Sequence, residues 1–200
     1  KARAAAAKTL ELDPTLGEAH IIRGIIAMIY EWEWDRAERE LRRGLELKPD
    51  SPLGHTWYAL FLSTQGRFEQ GIQQARIGEA LDPLSLSIHL VVGRCLYWAR
   101  RFEEALASIL ATLEMDPGNA LTQLWLARTY LATGRPLEAA AILERSGVDP
   151  AKRVRDLKLF GKVHAAAGRL LAVAQGGVED DQTVVGHGRP SSNLVWATRS

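Results

Sequence analysis

A five-residue pattern that ends in proline recurs along this chain at an almost constant interval. The copies read LELDP, LELKP, EALDP and LEMDP, at residues 10–14, 45–49, 79–83 and 113–117. Their prolines, together with a fifth in SGVDP at 146–150, are 35, 34, 34 and 33 residues apart. A fixed period of this length is the signature of a repeat array, in which each unit packs on its neighbours.

Three further series of residues share this period. The first is small, the second is mostly alanine and the third is mostly bulky. In chain order they are Gly24, Ala59, Gly93, Ala127 and Gly161; Ala2, Ala37, Gly71, Ala105 and Ala139; Trp34, Phe68, Phe102, Pro136 and Leu170. Apolar residues also recur at intervals of three and four, which predicts two helices per unit. We expect the small residues to let these helices approach closely, and the bulky residues to fill the space beside them.

Proline and glycine mark the ends of the predicted helices. Proline lacks an N–H group and forces the preceding residue out of the α region, so it should close each second helix. Gly66, Gly134 and Gly168 can supply the left-handed residue that ends a first helix. A single hairpin of this kind cannot bury its apolar face alone, so the units should stack into a solenoid.

A 34-residue helix–turn–helix with a small residue at position 8, alanine at 20 and proline at 32 resembles the tetratricopeptide repeat (TPR), here over roughly residues 1–170. The resemblance implies an all-α, right-handed α-solenoid of stacked helix–turn–helix hairpins. Arg23 and Glu79 depart from it, since they stand where an apolar residue is usual. The expected units are the second helix of a truncated repeat at 1–16, TPR 1 at 17–50, TPR 2 at 51–85, TPR 3 at 86–119, TPR 4 at 120–150, a partial TPR 5 or capping helix at 151–175, and a linker or partly ordered tail at 176–200.

The stretch YEWEWD, which begins at Tyr30, interrupts the regular period. The first interval of the small series is 35 residues but that of the bulky series is 34, so an extra residue lies between Gly24 and Trp34. Trp34 is predicted to be a packing residue, and Asp35 an N-cap or first-turn carboxylate. Tyr30 and Trp32 have no counterpart in later units. They belong either to an elaborated turn or to a docking site for a partner or an upstream domain.

The TPR resemblance also predicts a partner-binding surface. In such repeats, positions 2, 5, 9, 12 and 13 line the concave face on which extended peptides or partner helices lie. The predicted site residues are Ile25, Met28, Leu60, Thr64, Arg94, Tyr97, Trp98, Arg128, Leu131, Lys158 and Lys162. This surface is apolar towards unit one and cationic towards unit five, so it should favour a protein or peptide with an acidic segment. The alternative is that the arginines only solvate a helix face.

Metal binding and catalysis are not expected. His20, His55 and His89 are 35 and 34 residues apart and should form a row rather than a converging ligand set, so each is predicted to pack with one hydrogen-bonded nitrogen. Cys95, the single cysteine, is predicted to be a small buried thiol. No nucleophile, phosphate-loop, dinucleotide or zinc-protease motif stands out, so no cofactor is predicted either.

Charge and hydropathy narrow the setting further. The formal net charge is +1, which gives no general attraction to nucleic acid or to anionic membrane, and no apolar run is long enough to span a bilayer. A single cysteine fits a reducing compartment, so a cytoplasmic location is expected. Residues 151–169 carry six Lys or Arg against one Asp, which indicates a solvated outer face or a contact with an acidic partner.

The stretch YEWEWDRAERELRRGLEL also resembles the TPR regions of bacterial multidomain regulators, where repeats follow a winged-helix, Ser/Thr kinase or cyclase domain. The chain begins at Lys1 inside a helical pattern, which suggests a fragment or a processed chain. The predicted function is a non-catalytic scaffold that binds a protein or peptide on its concave face, within a larger regulatory protein. The alternative is an intramolecular sensor or dimerisation domain that controls an upstream effector.

Overall fold

A computed structural model of the chain describes residue 8 and residues 11–145, and all regular structure in these residues is helical. Eight α-helices follow one another between Gly17 and Arg145. They are α1 Gly17–Ile26, α2 Trp34–Leu47, α3 Pro52–Thr64, α4 Phe68–Leu81, α5 Leu86–Trp98, α6 Phe102–Met115, α7 Ala120–Ala132 and α8 Pro136–Arg145. A π-helical turn, Ala27–Glu31, continues α1.

The helices pair into four hairpins, α1–α2, α3–α4, α5–α6 and α7–α8, which stack in chain order as a right-handed α-solenoid. Each of α2, α4 and α6 packs on the first helix of its own hairpin and on the first helix of the next. Neighbouring first helices also contact one another, α1 with α3, α3 with α5 and α5 with α7. The first helices therefore form one continuous layer, and the predicted fold class is confirmed.

Proline sets the ends of the second helices, as predicted. Helices α2, α4 and α6 end at Leu47, Leu81 and Met115, each two residues before a proline. The residue between helix and proline leaves the helical region; Asp82, for example, has φ −139° and ψ 79°. The clash between a proline ring and the preceding residue excludes the α conformation there, so the helix stops at a fixed place in each unit.

Two of the first helices begin at side-chain caps. The N–H of Gly54 donates to the hydroxyl oxygen of Ser51 at 3.1 Å, and the N–H of Thr122 donates to the side-chain oxygen of Asn119 at 3.0 Å. Such caps satisfy N–H groups that have no partner within the helix, and each is worth about 1 kcal/mol.

The small-residue series lies where the two helices of each hairpin cross. Its buried members form the seam row: Gly24, Ala59, Gly93 and Ala127. The approach is so close that a Cβ placed on Gly93 would lie 2.5 Å from Cγ1 of Ile109 on α6. Small residues are therefore required here by geometry, which explains the regular period of this series.

The turns between first and second helices share one left-handed residue. The four are Trp32 (φ 58°), Gly66 (φ 75°), Arg100 (φ 61°) and Gly134 (φ 74°). The predictions for Gly66 and Gly134 are confirmed, whereas Gly168 lies outside the described residues. The prediction that Trp32 has no counterpart is wrong, because Trp32 takes the place that glycine or arginine fills in the later turns. Tryptophan is a costly choice there, since a Cβ disfavours the left-handed region.

The extra residue of the first hairpin is absorbed by the π-helical turn. In the second hairpin the N–H of Arg67 donates to the carbonyl of Leu62, five residues earlier, at 2.9 Å. In the first hairpin the equivalent N–H, that of Glu33, donates to the carbonyl of Ala27, six residues earlier, at 3.1 Å. One inserted residue thus widens the last turn without changing where the chain exits.

Two expectations for the end of YEWEWD are confirmed. Trp34 packs against the hydrophobic cluster between the first two hairpins, although it remains half-buried. Asp35 lies in the first turn of α2, where its carboxylate is favoured by the helix dipole.

The histidine row ties the first helices to the preceding prolines. The Nε2 atoms of the three histidines lie 3.1, 2.8 and 2.8 Å from the carbonyl oxygens of Pro14, Pro49 and Pro83. In the fourth hairpin Gln123 replaces histidine and donates to the carbonyl of Pro117 at 2.7 Å. The row therefore fixes the orientation of the loops, and Gln123 is a member that the histidine pattern did not reveal.

Sequence reasoning assigned one hydrogen-bonded nitrogen to each histidine, and this was wrong. The Nδ1 atoms of His20, His55 and His89 also have partners: Glu40 at 2.7 Å, Gln74 at 2.7 Å and Glu79 at 2.8 Å. Both departures from the repeat pattern belong to this network. Arg23 pairs with Glu40 at 3.1 Å, and Glu79 pairs with a histidine, so polar side chains replace an apolar contact there.

Several expectations fall on residues that the structure does not describe. They concern Lys158 and Lys162, the basic stretch 151–169, the partial fifth repeat, the tail 176–200 and most of residues 1–16. Within the described part of the chain, no helix has the length and apolar character needed to cross a lipid bilayer.

Candidate protein-binding surface

The ring of Trp125 on α7 is the centre of an aromatic cluster between the third and fourth hairpins. Tyr97 and Trp98, at the end of α5, meet this ring edge to face with centroid distances of 5.6 and 5.8 Å. Arg94 and Arg128 place their guanidinium carbons 5.0 and 4.6 Å from its centroid. We call these five residues the arginine–tryptophan cluster.

Each arginine also lies over a second ring. The guanidinium of Arg94 is 5.2 Å from the centroid of Trp98, and that of Arg128 is 5.5 Å from the centroid of Tyr97. A guanidinium within about 6 Å of an aromatic centroid is attracted by the negative face of the ring. The rings therefore hold both cations in defined positions before any partner is present.

Helical periodicity brings the cluster together. Arg94, Tyr97 and Trp98 are three and four residues apart on α5, and Trp125 and Arg128 are three apart on α7, so each set shares one helix face. Helices α5 and α7 are neighbouring first helices in direct contact. The chain thus converts a 34-residue sequence period into two adjacent guanidinium groups.

Burial makes the cluster electrostatically unusual. Arg128 is only 9% exposed, and Arg94 is half-buried with an Nε that is shielded from solvent and has no hydrogen-bond partner among the described residues. Burial lowers the pKa of Arg94 to about 10, and the nearby charge of Arg128 lowers it further in the same direction. Removing the charge from water is the main cost, and like-charge repulsion adds to it.

The other predicted site residues are placed differently. Leu60, the counterpart of Arg94 on α3, is only 6% exposed and belongs to the hydrophobic core. The hydroxyl of Thr64 donates to the carbonyl of Phe61 at 2.7 Å, which leaves it a local role at the end of α3. Ile25 and Met28 are half-buried and pack against the core of the first two hairpins.

Leu131 is the predicted site residue that extends the cluster with exposed apolar surface. It is three residues after Arg128 on α7, and the exposed Leu121 lies on the same helix face seven residues before Arg128. The structure therefore brings together Arg94, Tyr97, Trp98, Arg128 and Leu131, and it buries or partly buries the rest of the described set.

Sequence reasoning missed Trp125 and Leu121. Both have counterparts in the second unit, 68 residues earlier, at Trp57 and Leu53. This double period is the signal that was available, since a tryptophan and an exposed leucine recur in alternate units. It indicates position but not that the ring of Trp125 would lie under two guanidinium groups.

Other chemistry finds no support among the described residues. No group of three or more histidine, cysteine, aspartate or glutamate side chains there is arranged to hold a metal ion. Cys95 is buried, as predicted, and burial raises the pKa of its thiol to about 11. A thiol with this pKa is almost entirely protonated at neutral pH and is a poor nucleophile.

Comparison with known proteins agrees with the repeat period. Two family models, both described as tetratricopeptide repeat, match residues 62–120 and 99–158. The chain therefore contains tetratricopeptide repeats, and a fold of this kind is consistent with a scaffold for protein–protein interaction.

Solved structures with the same fold include PilW, described as a widely conserved type IV pilus biogenesis factor, with a TM-score of 0.67, 24% identity and coverage of 88% of this chain and 78% of that one. Pseudomonas aeruginosa PilF follows with a TM-score of 0.64, 19% identity and coverage of 88% and 84%. YrrB, described as a TPR protein with an unusual peptide-binding site, has a TM-score of 0.61, 20% identity and coverage of 78% and 81%. At these identities the similarity concerns the fold.

Proposed function

We propose that this TPR chain is a non-catalytic scaffold that binds a protein or peptide on the concave face formed by its first helices, and that the arginine–tryptophan cluster selects an acidic segment of the partner. The observation that carries the proposal is the position of Arg94 and Arg128 over one ring, Trp125, between two neighbouring helices. Fixed guanidinium groups are suited to bidentate recognition of carboxylates.

Electrostatics supports an anionic partner. The charge of Arg94 is disfavoured in the unbound chain, as the lowered pKa of its guanidinium indicates. A carboxylate in contact with it would restore a favourable environment and provide the acceptor that its Nε lacks. The aromatic rings fix the guanidinium in advance, so little side-chain freedom is lost on binding.

Apolar surface beside the cluster supports a mixed partner. Leu121 and Leu131 are exposed on the same face of α7 as Arg128, one on each side of it. A partner with apolar residues next to an acidic residue can therefore contact both kinds of surface at once. The similarity in fold to YrrB, whose description mentions a peptide-binding site, is compatible with a peptide partner.

Binding of matched peptides tests the proposal. The acidic peptide is a short, capped, fluorescein-labelled sequence with two Glu-Leu pairs separated by glycine, and the basic peptide has arginine in place of glutamate. We expect the acidic peptide to bind the full chain, and the double substitution Arg94→Gln with Arg128→Gln to weaken it about tenfold or more. Arg94→Gln alone should give a smaller loss with less risk to folding.

The matched control replaces two exposed arginines of α2, Arg39→Gln with Arg42→Gln, which gives the same change in net charge. Fluorescence anisotropy measures affinity and circular dichroism checks the fold. Equal loss in the control would mean that general charge attracts the peptide. Unchanged affinity in folded Arg94 and Arg128 variants would contradict the proposal.

We further propose that the scaffold belongs to a larger bacterial regulatory protein and acts in the cytoplasm. The support is the resemblance of YEWEWDRAERELRRGLEL to the TPR regions of multidomain regulators, together with the single cysteine. The alternative assignment, a sensor or dimerisation domain for its own effector, shares this setting. Sequencing the gene on both sides of the segment tests it, since a winged-helix, kinase or cyclase domain should be encoded in the same reading frame.

A further inference from the structure

The first turn uses a residue that its backbone does not require. Gly66 and Gly134 form the equivalent left-handed turns without a side chain, whereas Trp32 forms it at φ 58°. A bulky residue in this region is strained by about 1 kcal/mol or more. Since the turn itself forms readily with glycine, the tryptophan is not explained by the local fold.

The strained residue presents its ring to solvent. Trp32 is 59% exposed and Tyr30 is 76% exposed, whereas a large aromatic side chain in a stable fold is mostly buried. Trp32 meets Trp34 edge to face with a centroid distance of 5.7 Å and an interplanar angle of 85°. Trp34 is packed on the core, so it supports Trp32 as a fixed aromatic anchor.

The surroundings of these rings are acidic. Residues 30–39, YEWEWDRAER, contain four carboxylates and two arginines, which gives a net charge of −2. Arg36 is shared between two of the acids, since its guanidinium donates to Glu31 at 2.9 Å and to Glu33 at 3.0 Å. Asp35 is exposed and has no ion pair among the described residues.

The third hairpin shows what such a turn accommodates. There the left-handed residue is Arg100, and its guanidinium carbon lies 5.6 Å from the ring centroid of Phe102, the counterpart of Trp34. In the fourth turn the guanidinium of Arg135 lies 4.5 Å from the centroid of Tyr130. A cation over a ring is therefore part of this turn architecture, and in the first turn the chain supplies aromatic rings and acids instead.

We propose that Tyr30 and Trp32 form a second docking surface, the aromatic edge, which binds a partner segment whose Lys or Arg side chains alternate with apolar ones. The cations lie over the exposed rings and pair with Glu33 or Asp35, while the apolar side chains cover the remaining ring surface. The aromatic edge lies at a helix–helix turn of the first hairpin, whereas the arginine–tryptophan cluster lies between the third and fourth. The two surfaces select partners of opposite charge.

The basic peptide defined above is the probe, and Trp32→Gly is the decisive variant. Gly66 and Gly134 occupy the equivalent turns, so this variant should fold and keep at least the melting temperature of the unsubstituted chain. We expect it to weaken binding of the basic peptide about fivefold or more. Arg100→Gly, the same change in the third turn, is the matched control and should leave that affinity unchanged.

Further arms separate this proposal from the concave-face proposal. The Arg94→Gln chain should bind the basic peptide normally, and Trp32→Gly should bind the acidic peptide normally. Raising the salt concentration from about 50 to 500 mM should weaken the basic peptide, because exposed charges are screened. These results would support the aromatic edge even if the acidic peptide bound nowhere.

Four results would overturn it. One is equal affinity of the basic peptide for the unsubstituted chain and Trp32→Gly. A second is equal affinity of the unsubstituted chain for both peptides at the aromatic edge, which would mean non-specific apolar adhesion. A third is loss of the basic peptide in Arg94→Gln. The last is a dimer in analytical ultracentrifugation that disappears in Trp32→Gly, which would make a second copy the occupant.

Discussion

Two rows of equivalent residues, one position apart on the first helices, differ in what the fold allows. The seam row holds only glycine and alanine, at Gly24, Ala59, Gly93 and Ala127. The adjacent row, which we call the groove row, holds Ile25, Leu60, Arg94 and Arg128. The seam faces the second helix of the same hairpin, so its size is limited in every unit, whereas the groove row faces the neighbouring first helices.

This difference shows where a repeat protein can vary. A change in the seam row alters the distance between two helices, and the error is passed on to every following unit. A change in the groove row alters only a local contact, so it can be apolar in one unit and cationic in the next. In this chain, burial and charge at the groove row are therefore set by function more than by the needs of the fold.

The largest expected effect comes from breaking the seam. Gly93→Leu should lower the free energy of unfolding by about 3 kcal/mol, because overpacked side chains force the backbones apart. Even a Cβ would lie 2.5 Å from Cγ1 of Ile109 and 3.2 Å from its Cδ1. Urea denaturation followed by circular dichroism measures the loss. Gly93→Ala is the milder control, and a Leu variant as stable as the unsubstituted chain would show that the seam is not size-limited.

The adjacent residue should respond in the opposite direction. Arg94→Leu places in α5 the residue that α3 already has at Leu60, and it should raise the free energy of unfolding by about 1–3 kcal/mol, since it removes a poorly solvated charge. Affinity for the acidic peptide should fall in the same variant. Arg94→Lys keeps the charge but loses the planar contact with two rings, so it should not share the gain in stability.

The pH dependence of this gain has a defined sign. The pKa of Arg94 is lowered from 12.5 to about 10 in the folded chain, so between these values the unfolded chain binds more protons than the folded chain. The stability of the unsubstituted chain relative to Arg94→Leu should therefore rise as pH increases through 10. A difference between the two chains that stays constant from pH 8 to about pH 11 would exclude charge burial as its cause.

The seam row could be read from the sequence because it repeats in every unit and needs only a small side chain. The same holds for the proline-terminated helices and for the left-handed residues Gly66 and Gly134. All of these follow from local backbone rules that act within one repeat.

The candidate surfaces were less accessible to this reasoning. That Arg94 and Arg128 share the ring of Trp125 depends on the spacing of α5 and α7 and on side-chain rotamers, neither of which a period contains. Trp32 was missed for a different reason, since propensity argues against a bulky residue in a left-handed turn. Both misses occur at surfaces that we propose to be functional, where local preferences are commonly broken.

The smallest expected effect concerns the outer surface, where charges face water. Glu69 is exposed and pairs with Arg101 of the next hairpin at 3.2 Å, while the same guanidinium also contacts Glu104 at 2.7 Å. Exposed ion pairs gain little, because water screens the charges and ordering two long side chains costs entropy. Glu69→Ala should therefore leave the melting temperature within about one degree of the unsubstituted chain, as measured by thermal denaturation. A larger decrease would mean that charges between successive hairpins help to hold the stack together. The contrast between a restricted seam and permissive surfaces would then have to include a second restricted row, on the outside of the solenoid.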